Sequence, residues 1–364
     1  MKRERARGAL LGLAVGDALG TTYEFARIDQ PDYPELATGP ATDVVGKGPF
    51  ALAAGVVTDD TQLAVCLATS LAARRGFDAA DAAERYVAWQ ECAFDIGNQT
   101  RSALRNIERT GSTAGGMQAW RESGHHAAGN GSLMRTAPIA VALASISDVI
   151  DASIADSMLT HADPRCMLAC AAYNAAIATV IASELPLGPA SGALMIEAAR
   201  AALETAAARL RALWGDHDAT ESGALADVAP VERTVDDIDV EELALVDAAR
   251  ADLVRDLEAA LADEPDVYGD EVHMHDMAGF VRTAFRLAFW HAVHTPTWRS
   301  ALVDIASRGG DADTNGAIAG ALLGARDGEA AIPAAWRDRV LAARQPGTAA
   351  WAEAHHPKHL LAVL

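Results

Sequence analysis

Two short acidic turns contain the residues whose types and spacing are best suited to chemistry in this 364-residue chain. The first turn is Gly309-Gly-Asp-Ala-Asp-Thr-Asn-Gly316, in which Asp311 and Asp313 stand two residues apart ahead of an apolar run. Carboxylates at this spacing can face one point, Thr314 adds a neutral oxygen, and hard cations such as Mg²⁺ bind such ligands. An ordinary helix with an acidic first turn would contain the same residues, so the interpretation depends on a partner elsewhere in the chain.

Two other metal-binding patterns fit the sequence less well. The motif Asp-x-Asp-x-Asn-Gly that begins at Asp311 matches the first half of an EF-hand loop. The last ligand of that loop is a bidentate glutamate, and this chain has Leu322 at that position. His273, His275 and Asp276 are close in sequence, but short histidine spacing in a loop is typical of solvated residues. Neither pattern is expected to bind a cation.

The partner of the first turn is Thr58-Asp-Asp-Thr61, which also precedes an apolar helical run. Asp59 and Asp60 are adjacent, and two bare carboxylates at a buried helix start are unfavourable unless a cation neutralises them. Four carboxylates and the hydroxyls of Thr58 and Thr314 are more ligands than one octahedral Mg²⁺ usually takes from a protein. We therefore predict a dinuclear site for two divalent cations, Mg²⁺ or Mn²⁺, in the loops and helix N-termini at these turns.

Three further polar motifs lie at expected helix boundaries. Asp95 begins the motif Asp95-Ile-Gly-Asn98 at a break between two helical segments. The turn Gly129-Asn-Gly-Ser132 offers backbone N–H groups that suit a phosphate or a ribose, and Met134 follows at a predicted helix start. His161 precedes Asp163-Pro164 at another helix start. Without further information these motifs also fit a helix cap, a plain turn and a structural hydrogen-bond donor.

The elements that must position these motifs are predicted to be helices. Alanine and leucine dominate, aromatic residues make up 5% of the chain, and no period-two alternation is sustained. Apolar residues recur at helical spacing in residues 64–73, 133–144, 167–181, 191–214, 240–261, 279–290, 301–307 and 333–364. Proline and glycine between residues 30 and 55 indicate a long loop, which could cover the site. The pattern predicts an all-α fold.

Glycines at every fourth position leave one face of the first predicted helix bare. They are Gly8, Gly12, Gly16 and Gly20. Because glycine has no Cβ, we expect another helix to approach this face closely. Asp17, which follows one of these glycines, is expected to cap or brace a neighbouring turn.

Charge patterning argues against a nucleic-acid partner. The net charge is −20, whereas phosphate binding requires clustered Lys and Arg. Residues 215–275 carry most of this charge, because they contain 19 Asp and Glu residues against three Arg. We expect this segment to be a solvated acidic insertion.

Cysteine usage and hydropathy indicate a cytoplasmic protein without a membrane partner. The four cysteines lie in apolar helical contexts without metal-type spacing, so no disulfide is predicted. The basic N-terminus and the apolar run after it resemble a secretory signal, but Asp17 closes the run early. No segment approaches the length of a membrane span. We expect a monomer.

Five sequence blocks, taken in order, resemble the ADP-ribosylglycohydrolase family. They are Gly8-Ala-Leu-Leu-Gly-Leu-Ala-Val-Gly-Asp-Ala-Leu-Gly20, Thr58-Asp-Asp-Thr61, Gly129-Asn-Gly-Ser-Leu-Met-Arg135, Thr160-His-Ala-Asp-Pro164 and Gly309-Gly-Asp-Ala-Asp-Thr-Asn-Gly316. Because the blocks come from both ends of the chain, we expect residues 1–364 to form one domain, a compact orthogonal helical bundle. The resemblance implies an ADP-ribosylated protein or small molecule as substrate.

The resemblance also implies roles for individual residues. Asp95 matches a substrate-facing aspartate and is our candidate for proton transfer at the ribose, and Glu24 lies near a position where the family has an acid close to the metals. Both are assigned as catalytic. The implied metal ligands are Thr58, Asp59, Asp60, Asp311, Asp313 and Thr314. The residues implied to hold ADP-ribose are Asn130, Gly131, Ser132, Met134 and His161.

The motif around Asp95 resembles the arginine-directed branch of the family. This implies hydrolysis of the C1″ N-glycosidic bond of ADP-ribosylarginine, or of a guanidine-type acceptor. The same metal motifs occur in family members that cleave O-linked (serine) or poly-ADP-ribose, so those substrates remain alternatives. A non-catalytic ADP-ribose-binding protein would be expected to have lost the metal acids. A metallophosphatase would be expected to have His and Asn among its ligands, and the two turns lack them.

Overall fold

Helices form most of the chain that the computed structural model describes, which comprises residues 1–215, 223–226, 228 and 240–364. The α-helices in these ranges are α1 (Lys2–Gly20), α2 (Asp59–Arg74), α3 (Ala79–Trp89), α4 (Asn98–Thr110), α5 (Gly115–Glu122), α6 (Ala137–Ala142), α7 (Ile146–Thr160), α8 (Pro164–Ala182), α9 (Gly192–Gly215), α10 (Val240–Ala259), α11 (Val281–His294), α12 (Trp298–Arg308), α13 (Ala312–Asp327), α14 (Ala334–Ala342) and α15 (Ala349–Ala354). Within the described residues, extended pairing is limited to isolated bridges. The architecture confirms the all-α prediction.

Helices α1 and α13 are in backbone contact along two matching stripes of small residues. The facing pairs are Gly8 with Gly324, Gly12 with Gly320, Gly16 with Gly316, and Gly20 with Ala312. A Cβ built on any of these α1 glycines would lie 2.0–2.2 Å from a carbonyl oxygen of α13. The order of the pairs makes the helices antiparallel, so the end of α1 lies beside the start of α13. The expected close approach is thus observed, and α13 is the partner helix.

Helix α8 is an apolar core helix. Among the described residues it is the one helix long and apolar enough to cross a membrane by length and composition, so the expectation that no segment approaches that length is wrong. However, 78% of its most apolar window is buried inside the fold. It packs against α6, α7, α9 and α10. Burial by neighbouring helices explains its composition without a membrane.

Residues 24–58, which contain no α-helix, are attached to α12 through contacts with a buried ion pair inside that helix. Asp304 bonds Arg308 at 2.9 Å and also accepts a hydrogen bond from the Tyr33 hydroxyl at 3.0 Å. The Arg308 guanidinium lies 3.9 Å from the centre of the Tyr33 ring and donates to the Glu35 carbonyl at 2.9 Å. These contacts attach the middle of the loop to the helix that leads into the acidic turn at residues 309–316.

The segment 215–275 is partly outside the described residues, but its described part includes α10, which packs against α8, α9 and α11. Asp256 on α10 is fully buried. Its carboxylate accepts hydrogen bonds from Arg282 at 2.8 Å and from Arg286 at 2.7 Å. The prediction of a solvated insertion is therefore wrong for α10, because this acid neutralises two arginines of α11.

Two helix predictions are wrong in extent. Residues 133–144 were expected to be one helix, but only α6 forms, because residues 130–135 make a turn. Residues 333–364 were expected to be one helix with a polar tail, but they divide into α14, α15 and the 3₁₀ helix Pro357–Val363. Pro346 and Gly347 separate α14 from α15, as this residue pair commonly does. Trp351 in α15 is buried, so the tail contributes to the core.

Candidate metal and substrate site

The two acidic turns meet where α2 and α13 begin. Asp59 and Asp60 lie in the first turn of α2, Asp311 is the N-cap residue of α13, and Asp313 lies in the first turn of α13. Helix N-termini favour carboxylates, which explains why both helices start at these residues. Asp59, Asp60 and Asp313 are buried, and Asp311 is partly exposed to a cleft. The structure therefore brings together the acids that were predicted to be metal ligands.

Asp17, near the end of α1, braces the start of α2. Its carboxylate accepts hydrogen bonds from the backbone N–H of Thr58 at 3.1 Å and of Thr61 at 3.2 Å. The hydroxyl of Thr61 donates to the same carboxylate at 2.5 Å. The Thr58 hydroxyl lies 3.0 Å from both Asp17 Oδ1 and Asp60 Oδ2. Because the side chain of Thr58 makes no cap bond of its own, Asp17 does the capping from another helix.

A third group of acids adjoins the two turns. Glu24, Asp95 and Asp313 each offer a carboxylate oxygen, and these three atoms lie within 4.8 Å of one another. Burial and the neighbouring carboxylates raise the pKa of Glu24 to about 8. The same causes raise the pKa of Asp95 to about 6. The two residues assigned as catalytic therefore lie directly beside a predicted metal ligand, where each can contact either a cation or a substrate.

The chemistry of this cluster fits hard divalent cations. Asp60 Oδ1 and Glu24 Oε2 are buried without a hydrogen-bond partner. Burial, and then repulsion from nearby carboxylates, raises the pKa of Asp60 and of Asp313 well above its usual value. Buried carboxylates of this kind are unfavourable unless a cation compensates them. Thr314 is buried beside the cluster, and its N–H donates to Asp313 Oδ1 at 2.9 Å.

The glycine-rich turn at residues 129–132 forms one wall of the cleft. Two of its four N–H groups are already used, since Gly129 donates to Gln99 Oε1 at 3.0 Å and Asn130 donates to the Gly279 carbonyl at 3.0 Å. The expectation that the whole turn offers N–H groups to a phosphate is therefore wrong for these two residues. Within the described residues, the N–H groups of Gly131 and Ser132 make no such bond, and of these two residues only Gly131 lines the cleft.

The side chain of Asn130 joins this wall to the acidic turn at residues 309–316. Its Nδ2 donates to Asp311 Oδ2 at 2.7 Å. This hydrogen bond orients the carboxylate of Asp311, which was predicted to be a metal ligand. Met134 is buried but lines the cleft a few residues further along the chain.

His161 and Ser132 lie on opposite sides of this turn. The His161 ring lines the cleft, and its Nδ1 lies 2.8 Å from Thr160 Oγ1. Burial and the Arg135 guanidinium hold the pKa of His161 well below its usual value, so its ring is neutral. The Ser132 hydroxyl is fully buried behind the turn, where it lies 2.9 Å from Ser157 Oγ. The Ser132 side chain therefore points away from the cleft and is not placed to contact a ligand there.

The cleft itself has a volume of about 270 Å³ and is acidic. Its titratable lining residues are His161 and five carboxylic acids, and no Lys or Arg is among the described residues that line it. The acids are Glu24, Asp59, Asp95, Asp311 and Asp313. Of the loop at residues 24–58, Glu24 and Phe25 line the cleft together with Asp59 at the start of α2. Residues 30–55, which were expected to cover the site, contribute none of its lining residues, so that expectation is wrong for this cleft.

Sequence reasoning missed several lining residues. They are Phe25, Asn98, Gln99, Thr100 and Gly279. Asn98, Gln99 and Thr100 form the first turn of α4, and their position at the end of the Asp95 motif and directly after it was an available signal. Phe25 directly follows Glu24, which was a similar signal. Gly279 carries no such signal, because its place in the cleft depends on contacts with residues distant in sequence.

The alternative cation site at residues 273–276 has a different function. His273 Nδ1 accepts hydrogen bonds from the N–H groups of His275 at 3.2 Å and Asp276 at 3.1 Å. His275 Nε2 lies 2.9 Å from the carbonyl of Arg308. These nitrogens hold the loop in place. Among the described residues, the group of side chains spaced closely enough to hold a metal ion is Glu24, Asp95 and Asp313.

Comparison with known proteins gives one consistent result. Residues 1–359 match the family model described as ADP-ribosylglycohydrolase. The ADP-ribosyl-[dinitrogen reductase] glycohydrolase of Rhodospirillum rubrum is 29% identical over 341 residues, which cover 93% of this chain and 90% of that protein. A solved structure, an ADP-ribosylglycohydrolase-related protein complex, is similar with a TM-score of 0.61 and 26% identity, over 98% of each chain.

A shorter match has higher identity. The ADP-ribosylarginine hydrolase Tri1 of Pseudomonas putida (strain GB-1) is 42% identical over 167 residues, which cover 43% of this chain and 42% of that protein. The chain thus matches less than half the length of that hydrolase. The family resemblance carried by the five sequence blocks is confirmed.

Proposed function

The chain belongs to the ADP-ribosylglycohydrolase family, a family of hydrolases, and we propose that it hydrolyses the C1″ N-glycosidic bond of ADP-ribosylated arginine. The substrate is an ADP-ribosylated protein or a small molecule that carries the same guanidine linkage. The products are ADP-ribose and the free guanidine.

The acidity of the cleft is the observation that carries this choice of linkage. Five carboxylic acids line it, without Lys or Arg among the described lining residues. A guanidine leaves readily only while it keeps its positive charge. Carboxylates held near the breaking C–N bond stabilise that charge in the transition state. A serine hydroxyl leaves without a positive charge and gains less from the same groups.

Two divalent cations, Mg²⁺ or Mn²⁺, complete the proposed site. Their ligands would be Thr58, Asp59, Asp60, Asp311, Asp313 and Thr314. Such cations would coordinate the ribose hydroxyls and lower the pKa of a bound water. The chain holds the ligands in place through two braces, the hydrogen bonds from Thr58 and Thr61 to Asp17 and the one from Asn130 to Asp311.

Asp95 and Glu24 are the proposed catalytic residues. Asp95 lies in the connection between α3 and α4 and lines the cleft. There it would hold the ribose by a hydrogen bond and exchange a proton at the reacting end of the substrate. Glu24, from the other side of the cleft, would contact the cation or the water that attacks C1″.

The turn at residues 129–132 and the start of α4 would hold the rest of ADP-ribose. Gly131 lines the same cleft as the first turn of α4, whose N–H groups favour an anionic diphosphate. The neutral ring of His161 would accept or donate a hydrogen bond from this wall. Met134 and Asn130 would shape the pocket around the ribose.

The test compares kcat/KM on arginine-linked and serine-linked ADP-ribose, with and without Mg²⁺ or Mn²⁺. We expect at least tenfold preference for the arginine linkage and loss of activity with a chelator. Asp95→Asn should lower kcat/KM by roughly 100-fold, the lower range for loss of a positioned acid or base. The exposed Asp29→Asn is the matched control and should have wild-type activity.

Two outcomes would reverse the assignment. Faster cleavage of the serine linkage, or an Asp95→Asn variant as active as wild type on arginine, would favour the O-linked or poly-ADP-ribose alternative. Tight binding of ADP-ribose without turnover of either linkage would identify a non-catalytic family member.

A further inference from the structure

Phe25 is an exposed aromatic residue at the edge of the acidic cleft. It follows Glu24 directly and lines the cleft, yet its side chain is 68% exposed. Its φ angle is 61°, in the left-handed region that bulky L-residues rarely adopt. An exposed ring in an unfavourable backbone conformation contributes little to folding, so a function in the cleft is the better explanation.

The backbone around Phe25 is clamped to the metal turn. The N–H of Phe25 donates to the Gly310 carbonyl at 2.7 Å, and the N–H of Gly310 donates to the Ala26 carbonyl at 2.8 Å. Arg27 and Gly309 continue this antiparallel pairing. The position of the ring is therefore set by the residues that immediately precede Asp311.

We infer that the Phe25 ring is a specificity determinant for the leaving group, because its face receives the guanidinium of the substrate arginine at the mouth of the cleft. This inference rests on the proposed function. An aromatic face attracts a cation, and it does so more strongly when the cation is partly removed from water. Glu24 beside the ring and Asp95 close to Glu24 add their own attraction for the same cation.

The charges in the cleft indicate which end of the substrate lies near Phe25. Once the proposed cations offset the aspartates that bind them, the acids Glu24 and Asp95 remain at this end of the cleft, where they attract the guanidinium and repel the diphosphate of ADP-ribose. The diphosphate is better placed against the N–H groups of Gly131 and of the first turn of α4. The ring of Phe25 therefore lies at the end of the cleft that suits the leaving group.

The test uses Phe25→Leu, which removes the aromatic face, and Phe25→Tyr, which keeps it. We expect Phe25→Leu to lower kcat/KM on ADP-ribosylarginine about tenfold, mainly through KM, and Phe25→Tyr to restore it to within about twofold. The affinity for ADP-ribose, which lacks the guanidine, should stay unchanged by calorimetry. Val45→Ala, at a 49% exposed residue of the same loop outside the cleft, is the matched control and should behave as wild type.

Each alternative result has a separate meaning. A parallel loss of ADP-ribose affinity in Phe25→Leu would place the ring against the adenine or ribose and overturn the inference. Equal activity of Phe25→Leu and wild type on the arginine linkage would also overturn it, while leaving the proposed function intact. A wild-type protein without activity on the arginine linkage would overturn both.

The backbone conformation gives an independent check. Phe25→Gly relieves the positive φ angle, so its melting temperature should equal or exceed that of wild type although its activity on ADP-ribosylarginine falls. A large drop in melting temperature would show that the ring has a structural role instead.

Discussion

Gly16 on α1 and Gly316 on α13 are in direct backbone contact, because a Cβ built on Gly16 would lie 2.0 Å from the Gly316 carbonyl oxygen. This contact between Gly16 and Gly316 lies next to the acidic cluster. Asp17, the next residue on α1, braces the start of α2, and Asp313 lies one turn before Gly316 on α13. This contact therefore fixes the distance between the two halves of the acidic cluster.

Gly16→Ala should destabilise the fold and disturb the site. The added methyl group collides with backbone, which cannot rotate away, so we expect a loss of about 2 kcal/mol or more in the free energy of unfolding, measured with urea. Gly76→Ala is the matched control, since nothing lies within 4 Å of a Cβ at Gly76. Equal stability of the two variants would show that α1 and α13 are less closely packed.

The carboxylate of Asp60 should stabilise the fold when divalent cations are bound and destabilise it when they are removed. With Mn²⁺ present at 100 times its dissociation constant, wild type should gain about 2.7 kcal/mol in the free energy of unfolding. Asp60→Asn should lose this gain together with bound metal, while its helical content by circular dichroism stays the same. In chelator, Asp60→Asn should be at least as stable as wild type, because one buried carboxylate is gone. Normal metal content and turnover in this variant would place the cations elsewhere.

Asp256→Ala should be strongly destabilising although it lies in the acidic segment. The substitution leaves Arg282 and Arg286 buried without their carboxylate, which typically costs about 3–5 kcal/mol in unfolding free energy. Asp247 lies on α10 like Asp256, but it is an exposed partner of Arg211. Asp247→Ala should therefore cost less than about 1 kcal/mol in unfolding free energy. Turnover of the Asp247 variant should match wild type. Similar melting temperatures for the two variants would contradict the burial of Asp256.

Gly131→Ala should weaken ADP-ribose binding through His161. A Cβ at Gly131 would lie 2.8 Å from His161 Cε1, so either the ring or the turn must move. We expect the dissociation constant of ADP-ribose, measured by calorimetry, to rise at least tenfold. Gly97→Ala in the same cleft is the control, because the nearest atom to its Cβ is Thr100 Oγ1 at 3.9 Å and the added methyl group meets no close contact. Unchanged binding in Gly131→Ala would remove this turn from the ADP-ribose site.

The neutral ring of His161 predicts a pH dependence of stability. Its pKa is lowered by burial and by Arg135, so the unfolded chain takes up a proton near its ordinary pKa while the folded chain does not. The resulting stability is present above about pH 6.5 and is lost as the pH falls. Between pH 7.5 and 5, wild type should therefore lose up to about 2 kcal/mol more than His161→Gln in urea titrations. Parallel pH profiles would show that the pKa of His161 is not lowered in the folded state.

The sequence alone determined the features that depend on neighbouring residues. Apolar spacing produces the helices, and acids at helix starts produce the two turns, because both are local properties of the chain. The candidate metal ligands of the two turns, such as Asp59 and Asp313, could be predicted for the same reason. The glycine stripe at Gly16 also predicted close helix contact, since the absence of a Cβ is visible without a structure.

Tertiary structure decided which of these features meet and which polar groups are already used. The antiparallel contact of α1 with α13 brings Glu24 to Asp313, and the turn after α3 adds Asp95 from a third part of the chain. Ser132 and Asp256 show the same dependence, because packing turned one hydroxyl away from the cleft and buried one acid of a segment that composition marked as solvated. Hydrogen bonds and burial between residues far apart in sequence depend on how helices pack, and local spacing contains no information on that geometry.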